Sequence, residues 1–224
     1  MLSHKKRYLQ VALNSTLTEA QAIINCLPVS DRIIIEAGTP MIKAAGMQAV
    51  ESITRWWGWR VRGVGGEPYV VADLKVMDRG ATEVALAREA GASAVVALGQ
   101  APLETIDAFI ETCVKSGIDS MIDMMNVEQP VKIIRKFRKL PTVIMLHRGV
   151  DETEFNKSKP IPYLQINKIR ATANVMIAVA GGDTPREVQR AVFNGADIVV
   201  VWKEFYQSTN DTGNLAETFL KEIK

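Results

Sequence analysis

Between Tyr69 and Gly80 an apolar run ends in three charges, Asp73, Lys75 and Asp78, spaced i, i+2 and i+5. Side chains two apart on a strand share a face. Asp73 and Lys75 should therefore project together from one strand end. Asp78 falls beyond it, on the turn into the next helix. A carboxylate and an ammonium at the mouth of a buried strand suit chemistry on a small anionic substrate.

Other polar residues also close apolar runs. Leu9–Leu13, Arg32–Glu36, Ser93–Ala97, Ser120–Asp123, Thr142–Leu146, Val175–Val179 and Asp197–Val201 read as strands, with the Tyr69 run as the third of eight. Nearly continuous apolar character is expected of parallel strands covered on both faces. Helical segments alternate with them. The first ends at Leu27, before Pro28. The second starts at Pro40 and reaches about Arg55; the third spans Gly80–Ala90; the fourth ends at Ser116, before Gly117. A fifth opens at Asn126–Pro130 and carries Lys132, Arg135, Lys136, Arg138 and Lys139 near its end, where cations suit the helix dipole. The sixth covers Tyr163–Ala171, the seventh starts at Pro185 and ends at Gly195, and the last spans Thr212–Ile223. Trp56–Pro68 reads as a long connection on the face opposite the active site, and Glu152–Pro160 as a polar loop. Strict βα alternation of this count implies one parallel (β/α)8 TIM barrel over residues 1–224. An open doubly wound sheet is the alternative, weakened because no GxGxxG follows the first strand.

Bulk properties narrow the function classes. The 224 residues are 47% hydrophobic and 23% charged, as in ordinary soluble domains. A net charge of +2 gives no reason to expect a nucleic-acid partner. No apolar run reaches the roughly 18–20 residues that span a bilayer, and the basic start, Met1–Tyr8, has no leader-like apolar core. Cys26 and Cys113 form no motif, which suits a reducing compartment and a cytoplasmic location.

In such a barrel the C-terminal strand ends build the active site. They supply Asn14, Glu36, Asp73 with Lys75, Asp123, His147, Gly181-Gly182 and Trp202-Lys203. Any one could be a satisfied strand end or a helix cap. Together, Glu36 and Asp73 can hold a hard divalent cation such as Mg²⁺. Lys75 can stabilise an enediolate, and His147 can move a proton near neutral pH. Ala180-Gly181-Gly182-Asp183-Thr184-Pro185 leads from a strand to a helix start, where bare N–H groups suit a phosphate. The glycine pair can equally serve only a tight turn.

These residues carry a resemblance. Asp73-Leu74-Lys75-Val76-Met77-Asp78 resembles the D-x-K-x-x-D motif of the orotidine 5′-monophosphate decarboxylase suprafamily. Glu36-Ala37-Gly38-Thr39-Pro40 is similar to the E-x-G-T-P turn of the branch holding 3-hexulose-6-phosphate synthases and 3-keto-L-gulonate-6-phosphate decarboxylases. Ile122-Asp123-Met124-Met125-Asn126-Val127 resembles the synthases' V-D-M-I-N-V, and Ala180-Gly181-Gly182 their phosphate loop. The resemblance implies a homodimer with shared active sites, a Mg²⁺ cofactor, a phosphosugar substrate and an enediolate intermediate. It implies Glu36 and Asp73 as metal ligands, Lys75 as electrostatic catalyst and His147 as proton carrier. Asn14, Asp123, Gly181, Gly182 and Lys203 would contact substrate, and Asp78 would reach the partner's site. Val150 stands where the decarboxylases have arginine, which favours formaldehyde condensation with ribulose 5-phosphate over decarboxylation. Asn14 replaces an expected aspartate, and Trp202-Lys203 an expected Gly-Gly or Gly-Arg. These two departures favour a further alternative, a barrel that binds a phosphosugar without turnover.

Overall fold

A computed structural model describes residues 1–156, 158–207 and 211–223. The chain runs β1 (Tyr8–Leu13), α1 (Leu17–Cys26), β2 (Ile33–Ala37), α2 (Thr39–Ala45), α3 (Gln48–Arg62), β3 (Val70–Val76), α4 (Gly80–Glu89), β4 (Ala94–Leu98) and α5 (Leu103–Ser116). It continues with β5 (Asp119–Asp123), α6 (Pro130–Ile134), β6 (Val143–His147), α7 (Val150–Phe155), α8 (Leu164–Arg170), β7 (Met176–Ala180), α9 (Pro185–Phe193), β8 (Ile198–Val201), α10 (Lys203–Gln207) and α11 (Thr212–Glu222). The strands close in chain order into a barrel, every pair parallel, with β1 bonded to both β2 and β8. The expected (β/α)8 barrel is therefore the fold.

Alternation along each strand makes two cores. Leu9, Val11 and Leu13 of β1 face outward and pack, with their counterparts, under the helices. Tyr8, Ala12, Ile34, Val71, Val96, Met121, Met145 and Ala178 fill the barrel interior. Register sets inward residues side by side: Ala12 pairs with Glu36, and Glu36 with Val71. Asp119 closes the floor. It is buried and accepts hydrogen bonds from Leu2 N (2.9 Å), Tyr69 Oη (2.7 Å) and Thr142 Oγ1 (3.0 Å). The N-terminal segment is thereby tied across the end of the barrel opposite the strand C-termini.

β3 departs from a regular strand. Its register against β4 shifts between Ala72 and Val76, and Lys75 has φ +48°. That left-handed conformation costs a non-glycine residue about 1–3 kcal/mol and persists only when surroundings enforce it. The Lys75 side chain is tied down by the ion pairs described below.

Several expected boundaries are corrected. The second helix is two helices, broken at Gly46 (φ +64°), and α3 continues to Arg62. Most of the expected Trp56–Pro68 connection is therefore helical. Val50, Ile53, Trp57 and Val61 recur at helical spacing and are all buried, which outweighs Gly58 as a breaker. Arg60 braces α1 by donating to the carbonyls of Ile24 (2.6 Å) and Leu27 (2.7 Å). The fifth helix is only Pro130–Ile134, so Arg135, Lys136, Arg138 and Lys139 lie beyond it and the dipole argument holds for Lys132 alone. Arg138 instead pairs with Asp107 at 3.3 Å. The expected Glu152–Pro160 loop begins inside α7, and its Lys157 lies outside the described residues. Lys203-Glu204-Phe205 opens the short helix α10.

Candidate active site

A cavity of about 460 Å³ opens at the C-terminal ends of the strands. Glu36, Asp73, Lys75 and His147 line it, with Asn14, Arg148, Asp151, Gly181, Asp183, Trp202 and Lys203 also on its walls. Lys75 Nζ lies 2.8 Å and 3.1 Å from the two oxygens of Asp73, and 3.4 Å from Asp123 Oδ2. The same Asp123 oxygen meets His147 Nδ1 at 2.8 Å. Asp123 does not line the cavity; it is fully buried behind it, with Oδ1 accepting from Met125 N at 2.8 Å. Thr39 Oγ1 lies 2.8 Å from Asp73 Oδ2 and donates also to the Asp73 carbonyl oxygen at 2.7 Å. The turn after β2 thus fixes the carboxylate of β3.

The charges in this network support one another. Burial works against the charge on Lys75, yet Asp73 and Asp123 outweigh it and hold the ammonium above its ordinary range. Burial likewise disfavours a charged His147, but Asp123, by charge and by hydrogen bond, raises its pKa overall. Asp123 is pushed up by burial and pulled further down by His147 and Lys75, so it stays ionised. Glu36 differs. Burial, aided by the neighbouring Asp73, pushes it up to about 7. Its carboxylate accepts from Gln10 Nε2, while Gln10 Oε1 is buried without a partner.

That combination fits a hard cation. Glu36 and Asp73 are oxygen donors on adjacent strands, and their mutual repulsion is what a divalent ion would relieve. Among the described residues no three His, Cys, Asp or Glu side chains form a closed metal cage. An ion here would rely on two carboxylates, waters and substrate oxygens, the usual manner of Mg²⁺.

The distal wall is built by β7 and β8. Asp183 Oδ1 accepts from the backbone N–H groups of Trp202 (2.6 Å) and Lys203 (3.3 Å). Lys203 Nζ sits 3.4 Å from Glu154 Oε1 and 5.5 Å from the centre of the Trp202 ring. Gly181 lines the cavity with φ +100°, and a Cβ there would lie 2.4 Å from the Arg148 carbonyl oxygen, so only glycine fits. Gly182 does not line the cavity and instead packs against Glu187 and Ile161.

Comparison with known proteins is decisive for ancestry. A model of the orotidine 5′-phosphate decarboxylase / HUMPS family matches residues 7–218. The chain belongs to that family. The bifunctional enzyme Fae/Hps of Methanothrix thermoacetophila is 37% identical over 97% of this chain and 53% of its own length. The chain spans about half the length of the curated relatives it matches. The crystal structure of 3-hexulose-6-phosphate synthase from Salmonella typhimurium has a TM-score of 0.81 at 27% identity, over 96% of this chain and 98% of that one. Orotidine 5′-monophosphate decarboxylase from Methanocaldococcus jannaschii shares the fold, with a TM-score of 0.71 at 16% identity, over 96% of this chain and 98% of that one.

In this HUMPS-family chain the structure brings together Glu36, Asp73, Lys75, Asp123 and His147. Asn14 stands at the rim; its backbone N–H donates to Tyr206 Oη at 2.8 Å, and its side chain fills space left by Gly38. Asp78 lies outside the cavity, exposed, where it accepts from Arg79 N at 2.7 Å. Sequence reasoning missed Gln10, Thr39, Arg148 and Tyr206. Gln10 was findable as a polar residue on the inward stripe of β1, two before Ala12. Tyr206 had no local signal, because its partners are almost the whole chain away.

Proposed function

We propose that the chain is a Mg²⁺-dependent aldolase of the 3-hexulose-6-phosphate synthase type, joining formaldehyde to ribulose 5-phosphate or running the reverse. The observation that carries this is Lys75, held charged between Asp73 and Asp123 at the wall of the cavity, with His147 bonded to the same Asp123. Asp123 takes Nδ1 of His147, which leaves Nε2 to exchange a proton with substrate. Removing a proton beside the ketone yields an enediolate, whose growing negative charge the fixed Lys75 ammonium stabilises. The enediolate carbon then bonds to the formaldehyde carbon, and the new oxyanion takes a proton. Mg²⁺, when bound at Glu36 and Asp73, supplies further positive charge to the substrate oxygens. Val150 sits on the cavity wall and offers no charge, which favours this reading over decarboxylation.

Asp78 is exposed on the same turn as the exposed Met77, with exposed Leu86 on the following helix, and this supports a homodimer in which Asp78 serves the partner's cavity. Among the described residues no helix is long and apolar enough to cross a membrane, and both cysteines are free, which supports a cytoplasmic location. The test follows formaldehyde consumption with ribulose 5-phosphate, with Mg²⁺ and with chelator, while monitoring CO₂ from keto-acid phosphates. Mg²⁺-dependent condensation supports the aldolase. CO₂ release without condensation would replace it with a decarboxylase, and tight phosphosugar binding with neither reaction would leave a binding barrel.

A further inference from the structure

We propose that Asp183 sets specificity at the distal end of the cavity, its carboxylate acting as an internal stand-in for phosphate. This rests on the phosphosugar reading above. Barrels of this class commonly hold phosphate between the loops after strands 7 and 8, through backbone N–H groups left free of the fold. Here one oxygen, Asp183 Oδ1, takes the N–H groups of both Trp202 (2.6 Å) and Lys203 (3.3 Å), and all three residues line the cavity.

Several other donors at that end are engaged within the chain, although the buried Arg148 Nε has no partner among the described residues. Thr184 and Glu187 close the start of α9 on themselves, Glu187 N donating to Thr184 Oγ1 at 3.3 Å and Thr184 N to Glu187 Oε2 at 3.2 Å. The Arg148 guanidinium donates to the carbonyls of Gly181 (2.8 Å) and Lys159 (3.3 Å). Lys203 Nζ is turned toward Glu154 and the Trp202 ring. A phosphate seated on the Trp202 and Lys203 N–H groups must displace the Asp183 carboxylate from them and tolerate its charge nearby. The chain therefore binds phosphorylated ligands more weakly than its backbone would permit, and Asp183 governs how strongly phosphate is preferred over hydroxyl.

The test titrates the full chain with inorganic phosphate, ribulose 5-phosphate and unphosphorylated ribulose by calorimetry, comparing wild type with Asp183→Ala and Asp183→Asn. The asparagine variant keeps an acceptor for the loop should alanine unfold it. We expect phosphate and ribulose 5-phosphate to bind roughly tenfold tighter to Asp183→Ala, the scale of freeing one charge-assisted hydrogen bond. Asp183→Asn should gain in the same direction by less, with ribulose unchanged. If the aldol reaction is measurable, the change falls in KM. Unchanged or weaker phosphate binding in both variants, or an equal gain for unphosphorylated ribulose, would overturn the proposal. A phosphate gain in a protein without aldolase turnover would support the role of Asp183 and count against the aldolase reading alone.

Discussion

Glu36→Gln gives the most quantitative prediction. Glu36 is pushed up to about 7 from an ordinary 4.5, first by burial and then by Asp73. Between those values the folded metal-free chain binds the proton that the unfolded chain has released. Stability therefore falls as pH rises from about 4.5 and levels off above 7. At ~1.4 kcal/mol for each pH unit of displacement, the loss is about 3 kcal/mol at pH 8. Glutamine preserves shape and still accepts from Gln10 but has no charge to lose. In urea titrations with chelator from pH 5 to 9, the wild type should show this decline and Glu36→Gln should lose the part due to Glu36 while keeping that of His147, ending about 3 kcal/mol more stable at pH 8. If Mg²⁺ binds at Glu36 and Asp73 as proposed, it should restore the wild type at pH 8 and do little for the variant. Equal pH profiles, or equal Mg²⁺ stabilisation, would refute the reasoning.

Other predictions follow from single contacts. Asp123→Asn removes the shared counter-ion of Lys75 and His147 and should cost about 3–5 kcal/mol, as for a broken buried ion pair. It should also lower the pKa of His147. The wild-type contribution of that group is complete below its ordinary 6.5 and is lost as pH rises through its raised value, and this decline should vanish in the variant when denaturation is followed against pH. Trp57→Ala should cost about 3–5 kcal/mol because the ring is 1% exposed. Trp59→Ala, at 81% exposure, should fall within about 0.5 kcal/mol of wild type in the same urea assay. Gly38→Ala places a Cβ 1.9 Å from Asn14 Oδ1, so the Asn14 side chain must turn away, and should destabilise by about 1 kcal/mol. Adding Asn14→Ala should recover most of that loss.

How far the chain could be read ahead of its structure depended on the range of the signals. Barrel strands announce themselves by local apolar runs, and the polar residue ending each run was legible for the same reason. The pairing of Asp73 with Lys75 followed from period-two spacing, whereas the left-handed Lys75 backbone did not, since it accompanies a register shift against β4 and ion pairs that reach Asp123 on another strand. The Trp56–Pro68 stretch misled because Gly58, Gly63, Gly65 and Gly66 suggested a loop, while the buried Trp57 and Val61 stripe is set by packing against neighbouring elements. Asp183 was visible only as part of the turn that follows the glycine pair. Its hold on Trp202 and Lys203 joins residues that are distant in the chain.

The central claim is that Lys75 and His147 generate an enediolate. Proton exchange tests it most directly: ribulose 5-phosphate is incubated in deuterated buffer with Mg²⁺ and no formaldehyde, and loss of the proton signal beside the ketone is followed by NMR. The account predicts exchange by the wild type, and none above background by folded Lys75→Ala or His147→Ala. Exchange by Lys75→Ala at the wild-type rate, or no exchange by a wild-type protein that binds the phosphosugar, would contradict it.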